Sequence, residues 1–199
     1  MNQPVNRLKR VISSIILLIL FVVVAAGLLL ALVKQVYPVK YKDSVMKYSL
    51  EYSVDPYLVF SVIKAESNFK YTALSPRKAI GLMQITEDTG IWAAKKMKLD
   101  NFEVKDLYDP DINIRIGCWY LKYLENQFRN DKLGTEEEIK EFVLASYNGG
   151  RSNVLKWIKN IENNGTGLFF DSIAFKETKN YVKKVKGNYK IYKRIYQNL

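Results

Sequence analysis

Apolar residues follow two regimes along this chain. Residues 11–33 read VISSIILLILFVVVAAGLLLALV without a charge, whereas beyond residue 47 apolar positions recur every three or four residues between polar ones. A bilayer-crossing helix needs about 20 apolar residues, and the interrupted pattern is that of helices burying one face. The chain therefore divides into an N-terminal segment (1–10), a transmembrane anchor (11–33), a polar tether containing Pro38 (34–46) and one helical domain (47–199). Arg7, Lys9 and Arg10 mark a cytoplasmic end, although Lys34, Lys40 and Lys42 weaken the asymmetry. A cleaved signal is the rival reading. Its apolar region runs to only about 7–15 residues, and the small residues Ala25-Ala26-Gly27 lie inside the run rather than after it. A buried core helix does not fit a segment with no polar face and basic flanks on both sides.

Within the domain, helix-start chemistry recurs. Asp55-Pro56 caps an apolar helix over 56–66. Thr86 caps a second over 86–97, with Gly90 as its weak point, and Asp109-Pro110 opens a third to about residue 128, with Ile112, Ile116, Trp119, Tyr120 and Tyr123 at helical spacing. Thr135 with Glu138 forms a capping box for a fourth, which Asn148-Gly149-Gly150 stops. Ser152 caps a short fifth through Trp157 and Ile158, and a basic final region spans 175–196, with a possible break at Gly187. No alternating strand, repeat or low-complexity tract is legible. The expected fold class is all-α.

Composition narrows the chemistry. The sequence has no histidine and one cysteine, Cys118, which excludes Ser-His-Asp and Cys-His catalysis, His-based metal sites and an internal disulfide. Cys118 sits in the apolar run 116–121, as a small buried hydrophobe would. No metal or cofactor is expected. The formal net charge of +11 points to an anionic partner: nucleic acid, a membrane surface or a polyanionic wall.

Glu66 ends the apolar helix and shares its face with Val59, Val62 and Ile63. Desolvation on that face and the negative end of the helix dipole both favour its protonated form, which suits a general acid. The helix alone leaves a second reading open: a glutamate turned to solvent or paired with Lys64 or Lys70. Further on, Gly81 permits close backbone approach, Met83 offers a flexible apolar wall, and Gln84 offers both donor and acceptor for an amide-bearing sugar.

The ordered segments Glu66-Ser67, Ser75-Pro76, Gly81-Leu82-Met83-Gln84, 145–150 (ASYNGG) and 177–182 (ETKNYV) resemble the soluble lytic transglycosylase family over roughly residues 45–195. The resemblance implies a goose-type lysozyme-like helical fold. It also implies cleavage of the β-1,4 bond between N-acetylmuramic acid and N-acetylglucosamine in peptidoglycan without water, giving a 1,6-anhydro sugar. The position matching the catalytic acid is Glu66, which serves afterwards as base. This accounts for the lack of an evident second carboxylate of the usual glycosidase pair. By the same resemblance Ser75 lies near the substrate N-acetyl group, Gln84 and Met83 line the cleft, and Tyr147 bonds Glu66 or the developing charge. Ser67, Gly81, Asn148, Glu177 and Tyr181 complete the candidate substrate contacts, Asn148 serving chiefly as a turn residue and Glu177 standing open between substrate contact and structural pairing. Glu87-Asp88 stand where relatives often carry a proline-containing segment, and Ser146 replaces the more usual alanine.

A muramidase that admits water, or a silent wall-binding scaffold, remains an alternative on sequence alone. Nucleic acid is not an expected partner, because the lysine- and tyrosine-rich C-terminal stretch reads as a solvated basic face with an inward aromatic seam. The expected location is the cell membrane, single-pass, with the domain extracytoplasmic and open to membership of a larger cell-envelope complex.

Overall fold

A computed structural model of the chain describes residues 3–164 and 168–197, with side chains over 11–161 and 168–197. Met1 and Asn2 of the expected cytoplasmic segment, and the side chains of Arg7, Lys9 and Arg10, lie outside the described residues. So do residues 165–167 and the last two of the domain. The chain forms two compact units, Met1–Pro38 and Val39–Leu199.

The first unit is the helix α1 (Gln3–Val36). Its stretch Val11–Val36 has a mean hydropathy of 3.4 and buries none of its residues within the protein. Length and composition suffice to cross a bilayer.

The second unit contains α2 (Lys42–Tyr52), α3 (Pro56–Glu66), β1 (Ala79–Ile80), β2 (Ile85–Thr86), α4 (Glu87–Met97), a 3-10 segment (Val104–Tyr108), α5 (Pro110–Asn130), α6 (Glu136–Gly149), α7 (Arg151–Asn164), α8 (Phe169–Ser172) and α9 (Lys176–Ile195). The helix starts follow their local chemistry. Asp55 accepts from the Tyr57 amide at 2.9 Å, Asp109 from Asp111 and Ile112 at 2.8 and 3.0 Å, and Thr135 and Glu138 complete a capping box. Thr86 caps α4, and Glu87 and Asp88 fall in its first turn, where the positive end of the dipole favours them.

Several elements differ from the pattern-based expectation. Helix α2 begins inside the stretch read as tether; Ser44 donates to Asp111 at 2.7 Å and Tyr48 also donates to that carboxylate, so its support comes from α5 rather than from a cap of its own. A two-stranded antiparallel hairpin is present, with Ala79 opposite Thr86 and Ile80 opposite Ile85; two-residue strands are too short for alternation to register. Helix α7 starts at Arg151, directly after Gly150 at φ 82°, so Ser152 lies inside the helix rather than capping it. It also runs beyond Ile158. Gly187 does not break α9, whose Asn188 on the buried side donates to the Ser61 carbonyl at 3.2 Å.

The core centres on α3, which packs on α9, while α6 packs on α5, α7 and α9. Phe60, Val62, Ile63, Leu82, Met83, Ile114, Ile116, Cys118, Val182 and Tyr192 have no exposed surface. Each large apolar side chain so buried contributes roughly 1.5–3 kcal/mol. Phe60 and Tyr192 stack at 5.7 Å between ring centres, which fixes the register of α3 on α9 and so the depth at which Glu66 emerges.

Candidate active site

Glu66 stands where it does because α3 ends abruptly. The chain beyond it passes through Asn68 at φ 51° and Phe69 at φ 66°. Left-handed backbone costs about 1 kcal/mol for each such residue, and burial of the Phe69 ring, 6.4 Å from Phe60, offsets that cost. Ser67 closes the turn: its hydroxyl donates to the Leu82 carbonyl at 2.8 Å, tying the helix end to the loop between β1 and β2.

That loop is held from below. Gly81 adopts φ 79°, and a Cβ there would collide with the Asn113 amide and the Leu107 carbonyl, so glycine is required twice over. Asn113 of α5 is fully buried. Its Oδ1 accepts from the Met83 amide at 2.8 Å, and its Nδ2 donates to the carbonyls of Ile80 and Leu107 at 2.9 and 2.7 Å. The sequence does not single out Asn113; its only signal is a polar residue on the apolar stripe that includes Ile116 and Gly117. Gln84, itself at φ 49°, donates to the carbonyls of Gly81 and Ala73 at 2.9 and 3.3 Å. Ser75 brackets the preceding turn: its amide donates to the Ala79 carbonyl and its carbonyl accepts from the Lys78 amide, both at 2.9 Å, while its hydroxyl accepts from the Ala79 amide at 3.0 Å.

Around the Glu66 carboxyl, burial dominates the electrostatics. It lifts the carboxyl from 4.5 to about 7, against the Tyr181 hydroxyl and the Lys184 ammonium, which favour the anion; the Glu177 charge adds to the lift. Tyr181 is buried, and its hydroxyl has no partner at full hydrogen-bond geometry, yet lies close enough to stabilise the carboxylate. Desolvation and the Glu66 charge hold the Tyr147 and Tyr181 hydroxyls protonated, far above the ordinary tyrosine range. Lys184, which the sequence does not single out either, donates to the Ala65 carbonyl at 2.6 Å.

Glu66, Ser67, the 81–84 loop, Tyr147 and Tyr181 are thus brought together around one carboxyl, but several roles differ from expectation. The Met83 side chain lines no cleft: it is wholly buried, filling the space that the missing Cβ of Gly117 leaves. Its carbonyl receives the Tyr147 hydroxyl at 2.8 Å, so that hydroxyl is engaged there rather than on Glu66. Asn148 is helical rather than a turn residue, and its Oδ1 accepts from Thr178 at 2.8 Å, joining α6 to α9. Glu177 is exposed and ion-paired with Arg77 at 3.3 Å. Tyr147 continues through Tyr120, 5.5 Å away, into a half-buried aromatic cluster with Trp92, Trp119 and Tyr123. A separate concavity of about 380 Å³ opens at the other end of α3, lined by Asp55, Leu58, Glu141, Val185 and Tyr189 among others, and Glu66 is not part of it. Among the described residues no group of three or more His, Cys, Asp or Glu is placed to hold a metal ion.

Known proteins resemble this chain in sequence and in fold. The family description "Transglycosylase SLT domain" matches residues 43–170. The soluble lytic murein transglycosylase of Escherichia coli K12 is 31% identical over 162 residues, covering 80% of this chain and 24% of that protein. The membrane-bound lytic murein transglycosylase C of Yersinia pestis is 29% identical over 169 residues, covering 78% and 47%. The chain thus spans about a quarter to a half of these relatives' length. The solved 70-kDa soluble lytic transglycosylase of E. coli superposes with a TM-score of 0.70 at 29% identity, over 81% of this chain and 25% of that one. Its complex with bulgecin A gives 0.72 at 28% identity, over 83% and 26%. The helical fold is that of the lytic transglycosylases, and the chain belongs to the transglycosylase SLT domain family.

Proposed function

We propose that this protein is a membrane-anchored lytic transglycosylase that cleaves peptidoglycan glycan strands, with Glu66 as its single acid and base. One observation carries the reading: a carboxyl held near neutrality by burial, at the helix end facing the family's loop, is equally able to give and to take a proton. Glu177 is exposed and paired with Arg77, which suits a mechanism that needs no second carboxylate.

In the first half, protonated Glu66 donates to the bridging oxygen as the bond to the anomeric carbon breaks, its electron pair staying on that oxygen. The substrate's own N-acetyl group stabilises the positive charge left on the sugar. In the second half, the Glu66 carboxylate removes the proton of the muramic acid 6-hydroxyl, whose oxygen bonds the anomeric carbon. Glu66 ends protonated, no water is consumed, and the product is a 1,6-anhydro sugar. Tyr181 and Lys184 favour the carboxylate needed between the two halves. The Ser75 turn and the Gln84 side chain frame the site from the loop; Gln84, with its NH₂ engaged on backbone carbonyls, offers its Oε1 to a substrate donor. Gly81 shapes the site through its backbone, Ser67 through its hydroxyl on the Leu82 carbonyl, and Asn148 through the bond it accepts from Thr178. Helix α1 spans the membrane and presents the domain outside the cytoplasm, within reach of the wall.

Digestion of purified sacculi by the full chain, followed by mass spectrometry of the fragments, tests the reading. Anhydro-ended muropeptides are expected from the wild type and none from Glu66→Gln. Reducing ends one water heavier would make the enzyme a muramidase, and an inert wild type that still binds sacculi would make it a scaffold.

A further inference from the structure

Lys184 has no part in the mechanism just given beyond its charge, yet its placement is specific. It lies three residues after Tyr181 on α9, so both project from one side of that helix toward the end of α3. Its ammonium reaches across to the Ala65 carbonyl at 2.6 Å, the residue before Glu66. That carbonyl belongs to the last turn of α3, whose C=O groups lack helical partners and carry the negative end of the dipole. A cation there answers both and sits beside the carboxyl.

We propose that Lys184 is a positioning residue for Glu66: its hydrogen bond to Ala65 fixes the final turn of α3, and its charge favours the carboxylate that the base half of the reaction requires. This rests on the reading of Glu66 given above. The charged and titratable groups that bear on Glu66 are Tyr181, Lys184 and Glu177 from α9 and Tyr147 from α6. Lys64, on α3 itself, feels the Lys184 charge and is lowered by its own burial and by that charge. Glu177 opposes Lys184, since its charge favours protonated Glu66, but Arg77 pairs with it and draws its field away. Two residues of α9 therefore pull the same carboxyl in opposite directions, and the nearer contact to its helix belongs to the lysine.

Infrared titration of the full chain in mild detergent, taken as the difference between each protein and its Glu66→Gln counterpart, reads the Glu66 carboxyl without requiring turnover. The wild-type midpoint is expected near 7. Lys184→Met should move it upward by roughly half a pH unit, the size expected of one solvent-facing charge. Lys184→Arg, which keeps charge and donor, should return it. The alkaline limb of kcat/KM on sacculi should move with the midpoint in each variant. A midpoint that stays in place in Lys184→Met, even with a lowered melting temperature, overturns the proposal and leaves Lys184 a purely structural tie. If the midpoint moves as expected while no variant, nor the wild type, releases anhydro products, the assigned reaction fails and the role of Lys184 on Glu66 stands.

Discussion

Replacing Glu66 by Gln keeps the shape of the side chain and removes a carboxyl that the fold strongly prefers to leave protonated. In the unfolded chain that carboxyl titrates near 4.5, and in the folded protein near 7. Between those values the folded state holds a proton that the unfolded state has released, so stability falls as pH rises. The stabilisation due to protonated Glu66 is complete below pH 4.5 and lost as the pH passes 7. The window is about 2.5 units wide, and at about 1.36 kcal/mol per unit it corresponds to roughly 3 kcal/mol. Because Glu66 is only half-buried as a residue, solvent screening brings the expectation to about 2 kcal/mol. The measurement is urea unfolding of wild type and Glu66→Gln in mild detergent from pH 4 to pH 8.5, followed by fluorescence of Trp92, Trp119 and Trp157, all in the second unit. Taking the difference between the two proteins cancels the carboxylates that titrate identically in both. Glu66→Gln should gain about 2 kcal/mol relative to wild type between pH 4 and pH 8.5. A difference that stays flat with pH would refute a desolvated Glu66, and with it the physical basis for a neutral-pH acid.

Two further substitutions probe the supports of the site. Asn113→Ala strands the Met83 amide and the Ile80 and Leu107 carbonyls in the core, and should lower unfolding free energy by about 4 kcal/mol; a urea midpoint close to that of wild type would mean the loop does not depend on it. Tyr181→Phe removes a buried hydroxyl without a full hydrogen bond, so stability should change by less than about 1 kcal/mol, while the alkaline limb of the rate profile moves to higher pH because the hydroxyl favours the Glu66 anion. Loss of stability with an unmoved limb would make that hydroxyl structural.

What the sequence conveyed well was chemistry confined to a few neighbouring residues. Asp55-Pro56, Thr86, Asp109-Pro110 and Thr135 each announce a helix start because the cap and the amides it satisfies are adjacent in the chain. Glu66 was legible for a similar reason: the apolar face beneath it lies on its own helix. Helix α2 was not, since its sequence KDSVMKYSLEY is mostly polar and its support is the Asp111 carboxylate far along the chain. Asn113, Lys184 and the burial of Met83 share this cause. Each is defined by a partner on another element, the 81–84 loop, the Ala65 carbonyl and Gly117 respectively, and a single sequence carries no record of such pairings. The Tyr147 hydroxyl shows the limit from the other side: its type and neighbourhood were legible, but which oxygen receives its proton was set by the Met83 carbonyl.

Cys118 lies in the middle of α5, fully enclosed by the core, and burial pushes its thiol well above the ordinary cysteine range. With one cysteine in the sequence and its thiol fully enclosed, the folded domain resists thiol oxidation and disulfide exchange. The domain folds without having to form a disulfide of its own. The same enclosure makes the residue a built-in timer, because a thiol reagent gains access only when the core opens. In denaturant-free buffer the rate of Cys118 alkylation therefore counts openings of the core.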